Sequence, residues 1–355
     1  MIRKALFLLV AALAFLSCNK EARTSRDKCG LYPIEQEGKW GFCDDKGVLV
    51  TAPQFDEAAA YCSGLALVRV GNKYGYVDKT GKMQINPQFD HASSFANDLA
   101  AVKIGTQWGY IEPGGKVSVN PQYDIAGDFA GGLARVCAAS RWGFINPDGK
   151  MVINMQYENA FDFSGGLAAV RTEGKWGFVD NTGKSVIVPQ YDLVLPFSEN
   201  LAAVHISGKW GFIDTKGALV IQPQFDQAFP FVQGRAAVLV SGKWGYVAPD
   251  GKMDVTPQFE QAGIFSEDLA AVQVGGKYGY IDQSGKLAII PQFDAAEDFF
   301  DGLGRVALGK KHGYIGPDGK YVWNPTDGAR APAPPPPSSR PSSHTSSEES
   351  GGGAW

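Results

Sequence analysis

The sequence predicts an all-β tandem array on two observations: an aromatic-glycine pair that recurs every 34 residues, and a composition rich in turn formers and rings. The pairs are Trp40-Gly41, Tyr74-Gly75, Trp108-Gly109, Trp142-Gly143, Trp176-Gly177, Trp210-Gly211, Trp244-Gly245 and Tyr278-Gly279, with His312-Gly313 as the ninth. A period that never slips means units that each stack on their neighbours. The 44 Gly and 21 Pro supply turns, and 8 Trp, 13 Tyr and 21 Phe supply apolar anchors between them, a balance that suits strands. A helical array of the same period, as in tetratricopeptide repeats, is excluded. Each unit would place several Gly and a Pro inside helices, at about 1 and 3 kcal/mol apiece.

The unit from Leu167 shows the elements in order. Ala168, Val170 and Thr172 alternate on one face of a first strand, and the corresponding outward positions (Arg69, Lys103, Arg171, His205, Gln273) vary freely, as in a half-buried strand. A Gly-containing link such as Glu173-Gly174 makes a hairpin to the aromatic-glycine strand. Gly in mid-strand marks a close approach, here expected from a ring of an adjoining unit. Recurring glycines at Gly47, Gly81, Gly115 and their equivalents, often in Pro-Asp-Gly, turn the chain into a third strand with Ile153, Ile187, Ile221 or Ile289 buried. A Pro-Gln-aromatic-acid motif then ends that strand, and a connector carries a further ring, Tyr61, Phe95, Phe129, Phe163, Phe197, Phe231, Phe265 or Phe299. Each unit is thus a three-stranded meander.

Nine whole meanders with no shared closing strand predict an open twisted solenoid or superhelix. The alternative is a β-propeller-like closed ring, whose blades usually have four strands and number four to eight. An open array must protect its ends. Tyr32, Pro33, Glu35 and Glu37 at the start, and Trp323-Asn324-Pro325 at the finish, are the expected caps.

The termini differ from the array. Arg3 and Lys4 precede a twelve-residue apolar run, Ala5 to Leu16, too short to span a bilayer and suited to a cleaved export signal over residues 1–17. Ser17-Cys18 resembles the lipobox of bacterial lipoproteins, which implies acylation of Cys18 and a lipid bilayer as partner. Asn19 in place of Asp then points to the outer membrane. Residues 18–29 form a short linker, 30–325 the repeat domain, and 326–355 a Pro-, Ser- and Gly-rich tail expected to be disordered. Export permits a disulfide among Cys29, Cys43 and Cys62; Cys137 stands apart, and spacing decides no pairing.

Lys-Trp-Gly-aromatic-Ile/Val-Asp, Pro-Gln-Phe-Asp and Gly-Leu-Ala-x-Val at fixed offsets resemble the bacterial WG-repeat, or KWG-repeat, family from Gly30 to about Pro325. Departures are Tyr74, Tyr278 and His312 for Trp, and Arg235 for Leu. The resemblance implies a non-catalytic interaction module. Trp40, Trp108, Trp142, Trp176, Trp210 and Trp244 are the expected structural anchors.

No catalytic, cofactor or metal residue is indicated. Carboxylates recur singly at Asp56, Asp90, Asp124, Glu158, Asp192, Asp226, Glu260 and Asp294, which suits acceptance of backbone N–H groups after the proline turn. His91, His205 and His312 occupy three different repeat positions, and neither a phosphate loop nor a G-x-S-x-G motif is present. The formal charge of −4, with no basic cluster, excludes nucleic acid as a partner. Lysines before most of the pairs, such as Lys39 and Lys209, are expected to guard an exposed strand edge. The array is therefore expected to bind an envelope protein, with a carbohydrate or peptidoglycan ligand as the alternative if the rings are exposed and aligned.

Overall fold

The computed structural model describes residues 30–324. They form nine antiparallel sheets, one of three strands and eight of four. Blade 6 is representative: an inner strand Leu193–Val194, a second strand Leu201–Ile206, the aromatic-glycine strand Lys209–Asp214 and an outer strand Leu219–Phe225. The connector expected as a packed link supplies the inner strand, pairing Leu193 with His205 and Val194 with Val204. Each 34-residue unit therefore ends inside the next blade.

Both faces of a blade are buried, which corrects the half-buried strand expected from alternation. Ala168, Val170 and Val179 of blade 5 pack back against Phe144 and Ile153 of blade 4. Ala169, Trp176, Phe178 and Ile187 of the same blade pack forward against Ala202, Val204 and Ile213 of blade 6. Small residues fill the second strand near the axis, and large ones fill the aromatic-glycine and outer strands, so the wedge widens outward as a ring requires.

The ring is closed, and the expected open solenoid is wrong. Leu303, Tyr314 and Trp323 of blade 9 pack against Tyr32, Ile34 and Cys43 of blade 1. These are the repeat positions that Leu201, Phe212 and Ile221 offer to Ala236, Val238 and Val247 between blades 6 and 7. Whole blades meet face to face at the seam as they do elsewhere, so no exchanged strand is needed. Tyr32 and Trp323, the expected caps, are the bulky residues that complete it. At other interfaces a connector ring packs on the aromatic-glycine strand, as Phe231 does on Phe212 with centroids 4.8 Å apart. Blade 1 has three described strands, Leu31–Gln36, Lys39–Asp44 and Leu49–Phe55. There Tyr32 supplies the ring, 5.5 Å from Tyr314. The Tyr32 hydroxyl donates to the Asp301 carbonyl at 2.5 Å, Tyr314 donates to the Pro33 carbonyl at 2.8 Å, and the Gly30 N–H donates to Asp301 Oδ2 at 3.0 Å.

The mid-strand glycine has a different neighbour from the one expected. Trp210 pairs with Phe225 and Phe212 with Ile221, so two extra residues of the outer strand bulge over Gly211. A Cβ on Gly211 would lie 2.6 Å from the Ile221 carbonyl oxygen and 2.8 Å from the Pro223 nitrogen. The blade's own backbone, not an adjoining ring, requires the glycine.

Candidate interaction surface

Two faces of the ring differ in chemistry. One carries the hairpins between the second and aromatic-glycine strands together with the links from one blade to the next. The recurring acid sits in that link and staples blades together. Asp226 takes Lys209 of blade 6 at 2.5 Å and accepts the Ser241 N–H of the blade 7 hairpin at 2.9 Å. The same pairings join Asp56 to Lys39 and Gly71, Asp90 to Lys73 and Gly105, and Asp294 to Lys277 and Gly309. Lys209, and then the Ser241 N–H, hold the Asp226 carboxyl below the usual carboxylate range. These lysines are engaged between blades and are not free edge guards.

The aromatic-glycine rings lie beneath this stapled face, and their exposure follows the ring of blades. Trp176, Trp210 and Trp244 in blades 5 to 7 are buried. Tyr278, His312, Trp40, Tyr74, Trp108 and Trp142 are half-buried, and they occupy the six consecutive blades 8, 9, 1, 2, 3 and 4. In blades 2 to 8 the difference follows the third residue of the connector, whereas blade 9 has Glu297 there, paired with Arg305. In blade 5 Phe161 stacks on Trp176 (4.9 Å, 17°), in blade 7 Phe229 stacks on Trp244 (5.1 Å, 21°), and blade 6 has Leu195 there. In blades 2, 3, 4 and 8 the same position holds Ala59, Ser93, Gly127 and Gly263, which are too small to cover a ring.

Polar groups are interleaved along this open arc. His91 stacks on Tyr74 (5.0 Å, 19°) and lies 6.0 Å from Trp108. Arg305 lies 5.6 Å above the Trp40 ring and pairs with Glu297, and Arg135 lies 5.3 Å above Trp142 and pairs with Asp162, geometries that suit cation–π attraction. Burial, then Arg305, lowers the His312 pKa. Sequence reasoning took every Trp as an equivalent anchor. The signal that separates them is the connector residue two positions before the connector aromatic.

Arg235, the departure from Leu, reaches Asp254 at 3.1 Å, donates to Gln283 and lies 5.6 Å from the Phe265 ring. Its charge is thus compensated inside the junction of blades 7 and 8. Cys43 and Cys137 are buried free thiols, and burial pushes the Cys43 pKa up to about 12. Cys18, the expected lipidation site, and Cys29 lie outside the described residues. Among the described residues no group of three or more His, Cys, Asp or Glu could hold a metal ion, and no helix is long and apolar enough to cross a membrane.

The WG containing repeat family matches residues 40–74, 74–105, 108–138, 142–176, 176–210, 210–244, 244–278 and 278–311. The chain belongs to the WG-repeat family. Among solved structures this WG-repeat ring is similar to that of a eukaryotic initiation factor, at 10% identity and TM-score 0.59, covering 82% of this chain and 94% of that one. Dihydro-heme d1 dehydrogenase NirN in complex with DHE gives 10% identity and TM-score 0.46, covering 75% and 73% of the two chains. Apo AztD from Citrobacter koseri gives 12% identity and TM-score 0.40, covering 72% and 92%. At such identities the first likeness concerns the fold alone, and the other two are too distant to add to it. No curated protein sequence matches the chain.

Proposed function

We propose that this WG-repeat propeller is a non-catalytic interaction scaffold that engages an envelope protein along its arc of half-buried rings. The contiguity of the six open blades carries the proposal: aromatic rings interleaved with arginine are the residue types enriched in interface centres. A repeat scaffold supports it by offering an extended surface varied at fixed intervals. A non-catalytic role is supported by the use of the recurring carboxylates as staples between blades. The export-like leader and Ser17-Cys18 support a tether through acylated Cys18, and Asn19 supports an outer-membrane address. The test is photocrosslinking on intact cells from a benzoylphenylalanine at Asn72, beside the open arc, against one at Ser207, beside the covered blades. A discrete adduct from position 72 and none from 207 is expected; equal yields from both refute the arc. Palmitate labelling that survives Cys18→Ala refutes the tether.

A further inference from the structure

We propose that blade 2 carries an unfilled ring seat, between Leu67 and Tyr74, that takes an aromatic side chain from a partner polypeptide. The proposal deepens the scaffold reading and rests on it. Blades 5 and 7 show what the seat is shaped to hold, because there a Phe of the connector lies nearly flat on the ring of the aromatic-glycine strand. Blade 2 has Ala59 in that position, and the space left is a cavity of about 100 Å³ walled by Ala58, Ala59, Leu67 and Tyr74, with Glu57 and Arg69 at its edge. A dry cavity of about 150 Å³ admits benzene, so an open one of this size takes most of a phenyl ring while the rest stays at the mouth.

The chemistry of the walls selects the occupant. Arg69 pairs with Glu57 at 2.9 Å, and the Tyr74 hydroxyl donates to the same carboxylate at 2.9 Å. The edge polar groups are thus engaged with one another, and the floor is aliphatic, so the seat rewards apolar ring surface over the hydrogen bonds that a sugar needs. His91 stacks on Tyr74, so the ring wall is held before a ligand arrives and less ordering cost remains. The equivalent place in blade 4 is taken by the Arg135 guanidinium over Trp142, which leaves blade 2 as the better vacancy.

The experiment titrates the full chain with N-acetyl-4-fluorophenylalanine amide followed by fluorine NMR. Saturable binding is expected in the wild type, and Ala59→Phe, which supplies from within the ring that blade 5 has, should weaken it at least about tenfold. Tyr74→Leu, which removes the ring wall, should weaken it likewise and serves if Ala59→Phe does not fold. Binding that does not saturate, or that is unchanged in a folded Ala59→Phe protein, overturns the seat. So does displacement of the probe by N,N′-diacetylchitobiose, which assigns the place to a glycan. A position-72 adduct on cells that persists in Ala59→Phe sinks the seat and leaves the scaffold standing; loss of the adduct in the otherwise wild-type chain sinks the scaffold itself.

Discussion

Ring closure depends on Tyr32, and its removal has a calculable effect. The side chain is 4% exposed, packs on Tyr314 with centroids 5.5 Å apart and donates to the Asp301 carbonyl. Truncating a large buried aromatic to Ala costs about 3–5 kcal/mol, and losing a hydroxyl's hydrogen bond alone costs about 1 kcal/mol. Tyr32→Ala should therefore lose about 3–5 kcal/mol and Tyr32→Phe about 1 kcal/mol. Ala stands at this position in most other blades, so Tyr32→Ala tests whether the ring compensates for the missing connector aromatic. Urea unfolding gives the free energies, with the slope checked for two-state behaviour. Spin labels at Glu37 and Lys310, in the hairpins of blades 1 and 9, report whether the seam gapes before the blades unfold. If Tyr32→Ala costs no more than Tyr32→Phe and the label distance does not broaden, the seam is not held by this ring.

Three further outcomes follow from the geometry. Gly177→Ala would set a Cβ 2.4 Å from the Ile187 carbonyl oxygen and should cost about 1–3 kcal/mol through the forced shift of the bulge; a urea midpoint unchanged from wild type contradicts the close approach. Burial, with Glu297 beside it, pushes the Asp298 carboxyl up to about 7. Its folded pKa lies above the unfolded one, so its contribution is complete below about pH 4 and is lost as pH rises through about 7. Asp298→Asn should thus gain thermal stability over wild type at about pH 8 and not at about pH 4; a pH-independent difference counts against it. Finally, a double-mutant cycle of Lys209→Met and Asp226→Asn should give a coupling under about 1 kcal/mol that shrinks in high salt, because both groups are largely exposed. Asp226→Asn alone should cost more than Lys209→Met, since the carboxylate also holds the Ser241 N–H.

Periodicity made the meander legible, because turn glycines, strand alternation and the terminating proline are local signals. Closure was not legible, for it lies in Tyr32 standing where other units have Ala or Gly and Trp323 where they have Ile, Val or Thr. Both substitutions read equally well as caps. The two-sided burial of each strand was hidden for a related reason: the face taken as outward was judged from Arg171 or His205 near the hairpin, while Ala169 and Ala203 deeper in the same strands are 1% exposed. The lysines and acids were seen as separate periodic features, since partners 17 residues apart in sequence belong to neighbouring blades only once the connector is assigned to the next sheet. Differences among the tryptophans depend on a single connector position, whose meaning needs Phe161 seen lying on Trp176.

Gly30, where the described chain begins, belongs to the seam between blades 9 and 1, with the open blades 8 and 9 on one side of it and the open blades 1 to 4 on the other. The chain therefore enters the ring within its uncovered arc and not among the covered blades. Blade 5, with its Trp176 already covered by Phe161, is the blade that faces this seam across the ring, so the point where the described chain enters and the first plugged blade stand at opposite ends of a diameter.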